Sequence, residues 1–199
     1  MRRTLRYGTA GLVSVLLPLP AALARPQDPA PKEEKKEAPI YDEAADARAQ
    51  IDAAFARAKK ENKRVLLVFG ANGCGWCRKL HALFERDEEI ARLLRYEYEV
   101  IRVDVGRFDR NEDLAADLGA AVRQHGIPFL TVLDAEGKPL VNQETSSLEQ
   151  GAAHDPAKVK AFLGKWAAPP LDAEKVVADA RARAEKDGKK IFLRFGAPW

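Results

Sequence analysis

The sequence predicts an α/β fold, a three-layer sandwich with a mixed central sheet flanked by helices. Three observations carry this. The run RVLLVF at 64–69 is apolar without alternation, as expected of a strand buried on both faces. Helical and strand patterns then alternate as far as residue 127. Two strand patterns, 128–134 and 139–142, follow each other directly across the Gly-containing turn 135–138, which signals an antiparallel hairpin.

The elements follow in order. Residues 42–62 read as a helix, with Ile51, Phe55 and Ala58 at helical spacing. The strand 64–69 comes next. A helix over 74–85 starts at a cysteine pair and turns Leu80, Leu83 and Phe84 to the core. A further helical turn covers 87–95, and 98–105 alternates as a strand. One helix is expected over 111–124, capped by Asn111, with Leu114 and Leu118 four apart. After the hairpin, Asp155-Pro156 opens a last helix with Val159, Phe162, Leu163 and Trp166 on one side. Pro169-Pro170 ends it.

The two ends of the chain differ from this middle. Residues 1–24 have the form of a signal peptide: Arg2, Arg3 and Arg6, a short apolar run, and Ala22-Leu23-Ala24 as a cleavage site. That run is too short to cross a bilayer, so no membrane attachment is expected after cleavage. Residues 25–39, rich in Pro, Lys and Glu, read as a disordered tether. The sequence holds 33 Lys+Arg and 30 Asp+Glu, and loss of three arginines with the leader leaves 30 of each. No basic patch interleaves with aromatics, so nucleic acid is excluded as a partner. The expected localisation is periplasmic or secreted.

Residues 171–199 repeat the start of the domain. Of the 18 positions from Ala54 to Ala71, ten recur identically 126 residues later. Composition explains two Ala- and Arg-rich helices, but not KKIFLRFGA lying on KRVLLVFGA. We read 40–168 as one domain and 171–199 as the start of a second repeat, cut short. A cysteine is expected at the position after Trp199.

Cys74 and Cys77, in CGWC, are the two cysteines of the sequence. They follow a strand and a short loop and open a helix. Unpaired N–H groups and the helix dipole at that point stabilise a thiolate, the reactive form. The spacing lets the second sulfur reach the first within one helical turn. Cys74 is then the attacking thiol and Cys77 the shielded resolving thiol. A structural disulfide closing so short a loop constrains the unfolded chain little. Zinc needs about four ligands, and no second CxxC is present. A two-thiolate copper(I) site stays open, although no metal or other cofactor is assigned. His81 reads as an exposed helix residue able to tune the pair, while His125 and His154 read as isolated.

Together these pieces resemble the thioredoxin superfamily. The matching pieces are RVLLVF, CGWC at a helix start, VIRVDV, the GIPF segment 126–129, and TVLDAEGKPLV, spanning about 41–168. CGWC-RKLH is most similar to exported bacterial thioredoxin-like proteins, some of which act as thiol–disulfide interchange proteins. The resemblance implies a cis peptide before Pro128 and a substrate-binding surface of Gly75, Trp76, Ile127 and Pro128. Where thioredoxins carry Trp, a buried strand acid and a helix proline, this chain has Gly73, Val68 and Ala82. The expected function is a monomeric exported thiol–disulfide oxidoreductase that reduces protein disulfides and is recycled by an unknown redox partner. The alternative is a non-enzymatic binding module or a copper(I)-binding CxxC domain.

Overall fold

A computed structural model describes residues 38–194. The expected signal peptide, the expected tether up to Glu37 and the closing FGAPW lie outside the described residues. The first helix, α1, runs Ala47–Glu61. It begins five residues later than expected because Asp46 caps it, its side chain accepting from the Ala49 N–H. Residues 42–45 form a turn instead, held by the Ala44 N–H on Asp42 Oδ1 at 3.0 Å. Strand β1, Arg64–Gly70, follows. Helix α2, Gly75–Arg86, passes directly into α3, Glu88–Glu97, through Asp87, which ends one and caps the other. Strand β2 is Tyr98–Asp104.

The single helix expected over 111–124 is two, α4 at Glu112–Asp117 and α5 at Val122–His125. Gly119, at φ 68°, is the reason. The Ala120 N–H donates to Ala115 O at 2.8 Å and the Gly119 N–H to Ala116 O at 3.0 Å. This is a Schellman stop, built on a residue free to adopt a left-handed conformation. Asn111 does not cap α4 with its side chain. It sits at φ 50° and its Nδ2 donates to Asp104 O at 2.8 Å. The hairpin strands β3, Phe129–Leu133, and β4, Pro139–Glu144, stand as expected.

A second, two-residue hairpin was not legible: β5, Glu149–Gln150, pairs with β6, Ala153–His154, across Gly151 at φ 65°. Helix α6, Pro156–Trp166, has Asp155 as its cap and proline in its first turn. Helix α7, Ala173–Asp187, ends at Gly188 and buries no residue. Residues 191–194 form no strand, and Phe192 is 89% exposed. The described part of the expected copy of β1 pairs with no strand, and a lone strand leaves its N–H and C=O groups unpaired.

The main sheet has the order β2-β1-β3-β4. β1 pairs parallel with β2 and antiparallel with β3, which pairs antiparallel with β4. The sheet is therefore mixed. Strand alternation divides β1 between two cores. Val65, Leu67 and Phe69 join Ile51, Ala54 and Ala58 of α1. Leu66 and Val68 join Leu80 and Phe84 of α2, Ile90 of α3, and Phe162 and Leu163 of α6. This explains the absence of alternation in RVLLVF: both faces of β1 are covered.

Two predictions follow from this packing. The buried Tyr98 hydroxyl donates to Leu163 O at 2.6 Å, tying β2 to α6. Tyr98→Phe orphans that carbonyl and should lower unfolding free energy by about 1–3 kcal/mol in urea titration. Because α7 buries nothing, a chain ended after Pro170 should melt within about 2 °C of the full chain by calorimetry.

Candidate active site

β1 ends at Gly70 and the chain crosses Ala71, Asn72 and Gly73 before Cys74 caps α2. Cys74 is extended, at φ −87° and ψ 111°, and its Sγ accepts the Cys77 N–H at 3.0 Å. A sulfur thus takes the place of the usual Ser or Asp oxygen at a helix N-cap. Cys77, one turn into α2, is 2% exposed, whereas Cys74 is half-buried. The two are joined as a disulfide, with Cα atoms 5.2 Å apart.

The GIPF segment reaches the same place from the other side. The Ile127–Pro128 bond is cis, as the resemblance implied. The Ile127 carbonyl oxygen lies 3.6 Å from Cys74 Sγ, where it can accept from the thiol once the disulfide is reduced. Pro128 is buried, and its carbonyl accepts from the Thr145 hydroxyl at 2.7 Å. Cys74, Cys77, Ile127 and Pro128 therefore meet, although some 50 residues separate the two segments. Gly75 is exposed beside them.

Trp76 faces elsewhere. Its ring meets His154 edge-on with centroids 5.3 Å apart, and Lys79 Nζ lies 4.0 Å from its centroid. Lys79 also donates to Ala152 O at 2.7 Å. The β5–β6 hairpin thus packs on the cysteine motif through Trp76 and Lys79. His154, read as isolated in the sequence, is 5% exposed at this contact. Neither of its ring nitrogens has a hydrogen-bond partner among the described residues. Burial, with the Lys79 charge adding to it, holds its pKa below the ordinary histidine value.

His81 is partly buried rather than simply exposed. Its Nδ1 lies 3.3 Å from Arg102 Nη2 and its Nε2 3.2 Å from Glu85. Burial, and then the Arg102 charge, also lower its pKa. Lys79 is the cation over Trp76. Among the described residues no three His, Cys, Asp or Glu side chains converge to hold a metal ion.

A groove of about 830 Å³ opens beside Cys74, lined in part by Glu43, Asn72, Arg107, Arg110 and Ile127. Arg110 bridges its walls, at 3.1 Å from Glu43 and 2.8 Å from Asp104. Asp104 is 5% exposed. The strand position that lacks an acid, Val68, is itself buried in the α2-side core. Tyr41, Asn72 and Asp104 were not singled out in the sequence. Asn72 alone left a signal, its position two residues before Cys74.

Comparison with known proteins agrees with this geometry. Residues 46–135 match a family model described as thioredoxin-like. The crystal structure of a disulphide isomerase from Xylella fastidiosa Temecula1 is 36% identical, covers 63% of this chain and 95% of its own, and superposes with a TM-score of 0.57. A thioredoxin from Thermus thermophilus is 19% identical over 57% of this chain and 81% of its own, at a TM-score of 0.42. Human spermatogenesis-associated protein 20 is 39% identical over 51 residues, which is 26% of this chain and 6% of that protein.

The buried histidine sets a pH dependence. The unfolded chain binds a proton on this residue near pH 6.5, while the folded chain resists it. The stability it contributes is therefore present above about pH 6.5 and is lost as pH falls below that value. Urea titrations at about pH 7.5 and 5.5 should show wild type weakening at the lower pH, with His154→Phe weakening less. His81 contributes in the same direction, so the variant should keep part of the slope.

Proposed function

Because this chain belongs to the thioredoxin-like family, we propose that it is an exported thiol–disulfide oxidoreductase that reduces protein disulfides. One observation carries the reading: two sulfurs at disulfide distance sit in unequal environments, Cys74 half-buried under a helix-terminal N–H and Cys77 buried. A thiol at such a helix start is favoured as thiolate. Cys74 thiolate attacks a substrate disulfide, forming a mixed disulfide and releasing one substrate thiolate. Cys77 loses its proton and attacks Cys74 Sγ, and the second substrate sulfur leaves as thiolate and is protonated. The protein is left as the disulfide and needs a dithiol partner to reduce it.

Gly75 and Ile127 form the proposed face for substrate protein, with the Ile127 carbonyl nearest to Cys74, while buried Pro128 backs it and Trp76 borders it against the β5–β6 hairpin. The reverse reaction would use the same atoms. Reduction is preferred because the sequence has no further cysteines and because CGWC has no histidine between its thiols. Export to a periplasm or beyond rests on the form of residues 1–24, and the second repeat on ten identical positions. We take the working unit to be a monomer.

The test is insulin reduction by dithiothreitol. The wild type should accelerate precipitation, and Cys74→Ser should bring the rate down to the uncatalysed level. Equal rates, with tight stoichiometric copper(I) binding by wild type, would instead establish a metal-binding module.

A further inference from the structure

Tyr41 belongs to the segment that precedes α1, yet its side chain is 2% exposed. It enters the fold where β1 gives way to the cysteine loop. A Cβ built on Gly70 would lie 2.1 Å from the Tyr41 hydroxyl oxygen and 3.0 Å from Cys77 Sγ. Hydroxyl and sulfur thus flank the same point and are no further apart than those two distances laid end to end. Any side chain at 70 would collide with the phenol, so glycine there is what admits Tyr41.

Asn72 fixes this placement. Its Oδ1 accepts from the Ile40 N–H at 2.8 Å and the Tyr41 N–H at 2.9 Å. Its Nδ2 donates to Tyr41 O and to Glu43 Oε1, both at 2.9 Å. All the hydrogen-bonding capacity of one amide is spent on holding segment 40–43 to the loop that carries Cys74. The charges acting on the phenol come from β2, where Asp104 favours its neutral form and Arg102 opposes it. His81 of α2 is engaged with Arg102. Burial, the largest influence, holds the Tyr41 pKa above the ordinary phenol value. The hydroxyl is therefore a permanent hydrogen-bond donor at physiological pH and cannot serve as a base.

We propose that Tyr41 is a positioning residue for the resolving thiol, its hydroxyl donating a hydrogen bond to the Cys77 thiolate. This rests on the reading of Cys74 and Cys77 as a reactive dithiol. A thiolate buried as deeply as Cys77 needs a donor to offset its lost hydration. Val68 supplies none from β1, and the N–H of Cys77 is already given to Cys74 Sγ. In the resolving step the Cys77 proton leaves to solvent, the S–S bond to substrate breaks as the Cys74–Cys77 bond forms, and the departing substrate thiolate takes up a proton. Tyr41 is neither oxidised nor deprotonated. Its hydrogen bond lowers the cost of the buried anion before attack.

The experiment reads Cys77 alone. In a Cys74→Ser background with 13C-labelled cysteine, the Cβ shift is followed against pH, with and without Tyr41→Phe. Loss of the donor should raise the Cys77 midpoint by about one pH unit, equivalent to about tenfold less thiolate at pH 7. Asn72→Ala, which keeps the hydroxyl but frees its segment, should move the midpoint in the same direction. In the wild-type background Tyr41→Phe should slow substrate release about tenfold and leave the first attack unchanged. Superposed titrations for both variants, each folded by circular dichroism, would overturn the proposal. The titration needs no turnover: an insulin assay that fails while the midpoint shifts would defeat the proposed function and leave this inference standing.

Discussion

β1 is hydrogen-bonded along both edges and packed on both faces, and the site depends on that immobility. Its partners are β2 on one side and β3 on the other. Each leads to one part of the site. β2 ends at Asp104, whose carboxylate holds Arg110 across the groove. β3 begins at Phe129, immediately after the cis Ile127–Pro128 bond. β1 itself runs out at Gly70, a few residues short of Cys74. Phe69 pairs with Val103 and with Phe129 at the same level, so the three exits lie together at one end of the sheet. The meeting of cysteine loop, acid and proline is a consequence of strand register.

The same geometry makes the two cysteines unlike. Cys74 occupies the cap position, outside the helical hydrogen-bond pattern, and receives an N–H that has no partner one turn back. Cys77 lies on the first turn, on the side that turns toward the sheet, and is enclosed. Cap and first turn of one helix are close enough for a disulfide but differ in solvation. The half-buried sulfur of Cys74 is open to a protein substrate in part, and the buried one of Cys77 is closed to it. The proposed order of attack, Cys74 first and Cys77 second, rests on this difference in access.

Much of this was legible because its causes are local. A continuous apolar run demands cover on both faces, and β1 has it. Asp46, Asp87 and Asp155 each cap a helix as short polar residues do. The departures have local causes of another kind. Gly119 stopped a helix that the Leu114–Leu118 spacing would have continued, because a left-handed residue satisfies the last carbonyls more cheaply than another turn. Asn111 looked like a cap, but its amide was claimed by the carbonyl of Asp104. The β5–β6 hairpin has two residues in each strand, too few to show a period. With that hairpin unseen, nothing could bring His154 to Trp76.

Tyr41 marks the limit of such reading. A lone aromatic in a polar segment carries no periodic signal, and its destination is decided 31 residues later by the amide of Asn72. Gly70 contributes only by being small, which a sequence displays without saying why. The loop between β1 and α2 thus has two separate duties: Gly70 and Asn72 admit and hold a phenol, while Gly73 and Cys74 turn the chain into the helix. A loop serving only as a connector would require neither the missing Cβ nor the fully used amide. Both features are accounted for if the space beneath Cys77 is reserved for the hydroxyl, and the absence of an acid at Val68 then leaves the resolving sulfur with a donor from another part of the chain.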